Sequence, residues 1–242
     1  MAFKQLDLFV ASAVDISPKA QQELMQRCWF SLNTNLRTTP IKHEYIDADG
    51  EKSWVEITGT KESGIATIHD QDVIIFIIAQ YMHALNNGTD ISRRFSFTGY
   101  DYLQFVGKKK LGGKDYSDLW KRLLRLKTTN ILTNIRQGNS RTNHTFSWLS
   151  EAKQTTDKDT GKHRGFEVVL PEWLYDSVIQ KQMVLTLDDH YFKIRGGLER
   201  WLYLFARKAS GYQTGGWTES IQSLYKKSGS TANLSVFKGQ LK

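Results

Sequence analysis

The chain reads as an α+β protein, on three observations. Segments with apolar residues at helical spacing (Val73–Leu85, Tyr116–Leu123, Leu198–Phe205) alternate with segments of period two (Ile41–Ile46, Asn130–Arg136, Phe166–Leu170). Between residues 70 and 149 the order is helix, strand, helix, helix and two-stranded hairpin, which is the order of a winged helix. From Tyr191 to Leu241 several helical segments follow one another, broken at 211–216 and 228–230, as in a helix-turn-helix.

In order along the chain, Ser17–Arg27 reads as a surface helix with Pro18 in its first turn. Ile41–Ile46 and Trp54–Ile57 alternate around Asp47-Ala48-Asp49-Gly50, the pattern of a β-hairpin. An EF-hand reading of that tip fails, because the third ligand position and the glycine at loop position six are missing. Asp70 should cap a helix that is apolar nearly all round, ending at Asn87-Gly88; such a helix belongs in a core. Phe95–Phe97 reads as a short strand, and Thr98 opens a helix that stops at Gly107.

The next helix, Asp115–Lys127, separates its faces. Tyr116, Leu119, Trp120 and Leu123 share one side; Asp118, Lys121, Arg122 and Arg125 share the other. An Asp118–Arg122 pair at i, i+4 would leave Lys121 and Arg125 the freer cations. Strands at Asn130–Arg136 and Thr145–Leu149 flank a polar, basic tip, Gln137-Gly138-Asn139-Ser140-Arg141, expected as the wing. Glu151–Gly165 is hydrophilic and reads as a long loop returning to the same sheet at Phe166–Leu170. A helix over Pro171–Ile179 leads to a domain junction near Lys181–Met183.

In the last stretch Leu198, Trp201, Leu202 and Phe205 form one apolar helix face. Thr218 is placed to cap a second helix, and Ser230 a third after the turn Lys226–Ser230. On pattern alone this region also fits an ordinary three-helix piece of a larger core.

Bulk composition bounds the function. A 40% hydrophobic, 12% aromatic sequence can build cores and argues against wholesale disorder. One cysteine, Cys28, excludes an internal disulfide framework and suits a reducing cytoplasm. The longest apolar run, Val73–Ala79, is far short of the roughly 20 residues a membrane span needs.

The net charge of +8 is segmental. Residues 93–145 carry twelve Lys/Arg against three Asp, and residues 193–242 carry nine against two Glu, while the remainder is acidic. Two basic blocks, each on a helix-turn-helix-like pattern, point to a polyanion with two contact regions.

Enzymatic readings find little support. In Gly107–Lys114 the phosphate-loop register fails, since Lys108 stands where the first glycine belongs and Asp115 replaces the magnesium-binding hydroxyl. Six scattered histidines and one cysteine show no zinc spacing, and no nucleophile-elbow motif is present. No catalysis, cofactor or metal is expected. A nicking enzyme would instead predict metal-dependent cleavage of supercoiled DNA.

Several stretches together resemble the plasmid replication initiator protein A family of bacteria. They include Asp7-Leu8-Phe9, Gly64-Ile65-Ala66-Thr67-Ile68 with Asp70 and Asp72, and Ser92-Arg93-Arg94 with Phe97-Thr98. Gly112-Gly113, Leu126-Lys127-Thr128-Thr129, Phe146-Ser147-Trp148 and Leu170-Pro171 with Trp173-Leu174-Tyr175 continue the match. The longest is Tyr191-Phe192 with Gly196–Tyr203, Arg207-Lys208, Gly216-Trp217 and Lys227–Ser230. The matches run in order along nearly the whole chain. His69 departs from the tryptophan expected there, and the sequence ends at Lys242, inside the expected recognition helix, where family members continue into a second wing.

The resemblance implies two tandem winged-helix domains, 1–182 and 183–242, the second without its C-terminal wing. It implies a cytoplasmic initiator that binds directly repeated sites on double-stranded origin DNA. It further implies help in opening the duplex, recruitment of host initiator and replicative helicase, and a homodimer formed through the first domain. A plasmid-encoded repressor without initiator activity is the alternative, and it should prefer inverted repeats.

The expected DNA contacts fall in both blocks. In the first they are Lys108, Lys109, Lys110, Lys114, Lys121, Arg122, Arg125, Lys127, Arg136 and Arg141. In the second they are Lys227, Ser228, Ser230, Thr231, Asn233, Lys238 and Lys242. Lysines suit phosphates, whereas an asparagine at a helix start suits an adenine edge.

Overall fold

Helix α1 (Gln71–Asn86) organises the core: Val73 through Ala79 are all buried, and Gly88 at φ +70° turns the chain away after it. The computed structural model describes residues 8–11, 16–21, 25, 27–46, 50, 52–109, 112–134, 136–137, 140–141, 143–161, 163–179, 184–211 and 215–241. The hairpin tip at 47–49 and the junction expected at 181–183 lie outside these.

Two four-stranded sheets flank the helices. In one, β1 (Leu8–Val10) runs parallel to β5 (Arg94–Phe97), which pairs antiparallel with β11 (His163–Val169), itself paired with β10 (Glu151–Thr156). In the other, β3 (Ile41–Ile46), β4 (Lys52–Thr58), β6 (Asn130–Thr133) and β9 (His144–Ser147) form an antiparallel meander in that order. A short pair, β7 (Arg136–Gln137) and β8 (Ser140–Arg141), extends from β6 and β9.

Between β5 and β6 come α2 (Gly99–Phe105) and α3 (Gly113–Thr128). Thr98 and Asp101 form a capping box that starts α2. Helix α3 buries Leu119, Leu123 and Leu126. After α4 (Glu172–Ile179) and β12 (Val184–Thr186), a 3₁₀ turn (Asp189–Lys193) leads into α5 (Gly197–Ser210), α6 (Ile221–Ser228) and α7 (Leu234–Gln240).

Several sequence expectations need correction. Lys19–Gln21 is not helical but strand β2, drawn into antiparallel pairing by β12; Ala20 and Met25 are buried, so this is no surface element. Glu151–Gly165 is not a long loop. Its first half is a strand whose half-buried positions hold only Ala152 and Gln154, too little apolar contrast to show the period-two signal, and it closes on β11 through a turn at Asp157–Gly161. That pair belongs to the sheet of β5, not to the sheet of β6 and β9.

Asp70 precedes α1 without capping it, because its carboxylate accepts from the backbone N–H and hydroxyl of Thr67 and from Arg125. The caps of α6 and α7 are Ser220 and Asn233 rather than Thr218 and Ser230.

The C-terminal helices pack on the N-terminal part: Trp201 and Phe205 share a buried apolar cluster with Trp29 and Phe30. The Cys28 backbone N–H donates to the Lys227 carbonyl. Gly197 permits this approach, since a β-carbon there would lie 1.9 Å from the Leu32 carbonyl oxygen. Gly197→Ala should therefore cost about 1–3 kcal/mol in urea denaturation, and an unchanged midpoint would show that the two segments can separate without loss.

Candidate nucleic-acid interface

An exposed stripe runs along α3 opposite its buried leucines, Leu119, Leu123 and Leu126. Lys114, Ser117 and Lys121 share this face at i, i+3 and i+7, and Lys109 is exposed in the loop just before it. Lys121 lies 3.7 Å from Asp118, a solvent-exposed pair that leaves most of its charge available. Among the described residues no carboxylate forms an ion pair with Lys109, Lys114 or Lys127. Lys127 is exposed too, at the end of α3.

Other expected contacts are engaged elsewhere. Lys108 pairs with Asp115 at the start of α3. Arg122 is held elsewhere than at Asp118: its Nη1 donates to the His69 carbonyl and lies 3.9 Å from Asp72. Arg125 donates through Nε and Nη2 to the fully buried Asp70 carboxylate at 2.7 Å each, a bidentate pair. The sequence-based pairing is thus corrected: Asp70, just before α1, takes Arg125, and the His69 carbonyl with Asp72 takes Arg122, so both arginines act as struts behind the exposed stripe.

The same buried group reaches the C-terminal helices. Arg200 of α5 donates to Asp72 at 2.6 Å, to the Ile194 carbonyl at 2.7 Å and to the Phe192 carbonyl at 3.2 Å. Burial pushes the Asp72 carboxyl up to about 6, against the pull of Arg200 and Arg122. Burial, aided by Arg200 and Arg122, lowers His69 to about 4 and holds it neutral at physiological pH.

In the second block, α6, the turn at Gly229 (φ +65°) and α7 form a helix-turn-helix-like arrangement. Ser228 is fully buried; its hydroxyl donates to the Tyr225 carbonyl and accepts from the Ser230 N–H, so it faces inward. Lys227 pairs with Glu219 at 2.6 Å and sits over the Phe205 ring. Ser230 accepts from the Ala232 N–H. Thr231, Asn233 and Lys238 are exposed.

Asn233 holds the start of α7 by accepting from the Val236 N–H at 2.9 Å. Asn233→Ala should therefore destabilise the chain by about 1 kcal/mol, while Asn233→Ser should keep the cap. Altered base preference in the serine variant at wild-type thermal stability would mark Asn233 as a reader; unchanged preference would confine it to capping.

Lys110 and Lys242 lie outside the described residues, as do the side chains of Arg136 and Arg141 on β7 and β8. The β10–β11 turn falls inside the stretch expected as a long loop. There Asp157 binds the Asp159 and Thr160 backbone N–H groups and pairs with Arg164, and Lys158 is exposed. Its signal was Asp159-Thr160-Gly161, a turn tripeptide between two polar segments.

The sequence model of a family described as "Replication initiator protein A" matches residues 19–242. The chain belongs to this family. It is 38% identical over 183 residues to a "Putative replication protein" of Wigglesworthia glossinidia brevipalpis, a match covering 74% of this chain and 65% of that protein. The chain thus spans less than two thirds of that curated relative's length.

Among solved structures, domains 2 and 3 of RctB superpose with a TM-score of 0.66 at 13% identity, covering 91% of this chain and 82% of that one. A second RctB domains 2–3 structure gives 0.60 at the same identity, covering 88% and 78%. The initiator-family chain therefore has the α+β fold of that two-domain piece. No helix among its described residues is long and apolar enough to cross a membrane.

Proposed function

We propose that this replication initiator protein A family member is a non-catalytic, sequence-specific DNA-binding protein that initiates plasmid replication at repeated origin sites. The observation that carries the reading is the surface built by α1, β5, α2, α3, β10 and β11. The strand between the first two helices pairs with the last strand of the hairpin, in the sheet order β5-β11-β10. That supports a winged helix with α3 as its reading helix and the β10–β11 turn as its wing, while β6–β9 is an insertion.

The exposed lysines of α3 then face a duplex, and Lys158 sits at the wing tip. The α6–α7 pair supports a second unit, in which Thr231, Asn233 and Lys238 approach a neighbouring groove. We assign 1–182 and 183–242 as the two DNA-binding units, joined through the β2–β12 pairing, the shared apolar cluster and the Asp72–Arg200 pair. Dimerisation through the first unit, duplex opening and recruitment of a host initiator and replicative helicase complete the proposed role.

The test is a titration of the chain against origin duplexes carrying either direct or inverted repeats. Successive monomer binding to direct repeats is expected. Preference of a dimer for inverted repeats would favour a repressor, and metal-dependent nicking would overturn the non-catalytic assignment.

A further inference from the structure

Residues 33–39 form an exposed loop that lies against the start of the proposed second reading helix. Two adjoining depressions share Asn33, Arg37 and Thr231, so this N-terminal loop and the α6–α7 turn make one surface. No carboxylate occurs between Leu24 and His43. Glu199, which lines the deeper depression, folds over Gly196 at the start of its own helix.

The loop is built rather than loosely draped. The Arg37 carbonyl accepts from the Ile65 N–H at 2.7 Å, and Ser31 is bonded on both sides to Ala66 and Ile68. A β-carbon at Gly64 would meet the Leu36 side chain at 2.6 Å, so the loop packs tightly on that turn.

The Arg37 guanidinium is oriented by its own loop: Nε donates to the Thr39 carbonyl at 3.0 Å and Nη2 to the Pro40 carbonyl at 3.4 Å. Carbonyls orient the charge without neutralising it, and a guanidinium has five N–H donors, so capacity for an anion remains.

We propose that Arg37 takes a backbone phosphate of the same duplex that the α6–α7 turn engages, making loop 33–39 a further DNA-contacting element. This rests on the DNA-binding reading above. A cation fixed beside the reading turn sets the register of the second unit on the duplex and adds affinity without sequence information.

The test uses the full chain and a duplex that the wild type selects from a random library, with affinity measured from 50 to 200 mM salt. Arg37→Gln should lower the slope of log affinity against log salt by about 0.9, making the loss over that range about 3.5-fold smaller. Arg37→Lys should keep the slope.

Asn35→Asp puts a carboxylate on the loop without touching its anchors, and it should lower the slope likewise. Lys42→Gln, at a nearby exposed cation paired with Glu56 at 3.1 Å, should leave it unchanged. Wild-type slopes in both Arg37→Gln and Asn35→Asp, or an equal drop in Lys42→Gln, would overturn the loop contact. Selection of no duplex by the wild-type chain would overturn the DNA-binding reading itself, and the loop contact with it.

Discussion

Arg200→Met should destabilise the chain by about 3–5 kcal/mol in urea denaturation, because it leaves a buried carboxylate without its main partner. Asp72 and Arg200 are 7% and 5% exposed at the side chain, and the remaining cation near Asp72, Arg122, is 3.9 Å away. Replacing both members (Asp72→Leu with Arg200→Met) should recover much of the loss, since the cost lies in the uncompensated charge. Equal losses in the single and double variants would contradict this account.

The same group has a pH signature. Burial raises the Asp72 carboxyl from its ordinary 3.8 to about 6, so the folded chain holds that proton more tightly than the unfolded one. Its contribution is fully present below about pH 4 and is lost as the pH rises through about 6. The stability difference, wild type minus Asp72→Asn, should fall across that window and be flat above it. A difference that grows with pH would show that the arginines outweigh burial.

The second large effect is on DNA. Changing Lys109, Lys114 and Lys121 together to Gln removes three exposed cations on and just before α3. The salt slope should become shallower by about 2.7, and affinity loss between 50 and 200 mM should shrink about 40-fold. Thermal stability should stay near wild type, because none of the three enters the buried cluster. A preserved slope would move the first contact surface off α3.

The helices announced themselves through periodicity. The 73–79 run, set within a helical pattern reaching Leu85, pointed to a core helix, and Leu119 and Leu123 marked the buried side of α3. Strand β10 did not, because its half-buried positions hold Ala152 and Gln154, which offer little apolar contrast to the exposed residues between them.

The largest misreading concerned charge. Arg125 looked free on a helix face, but its partner Asp70 stands 55 residues earlier and meets it only through the packing of α1 on α3. Arg200 and Asp72 are separated by 128 residues in the same way. Ser228 and Lys227 resembled a reading turn by residue type, yet a buried hydroxyl network and Glu219 claim them. Local sequence shows which residues can bind a phosphate; tertiary partners decide which are left to do so.

Hydroxyl-radical footprinting of the full chain on a duplex carrying direct repeats of the sequence it selects tests the central claim most directly. Two protected patches per repeat, about one helical turn apart, are expected on direct repeats. The Lys109/Lys114/Lys121 variant should lose one patch and keep the other. A single patch, or no protection at any repeat, would contradict a two-unit DNA-binding initiator.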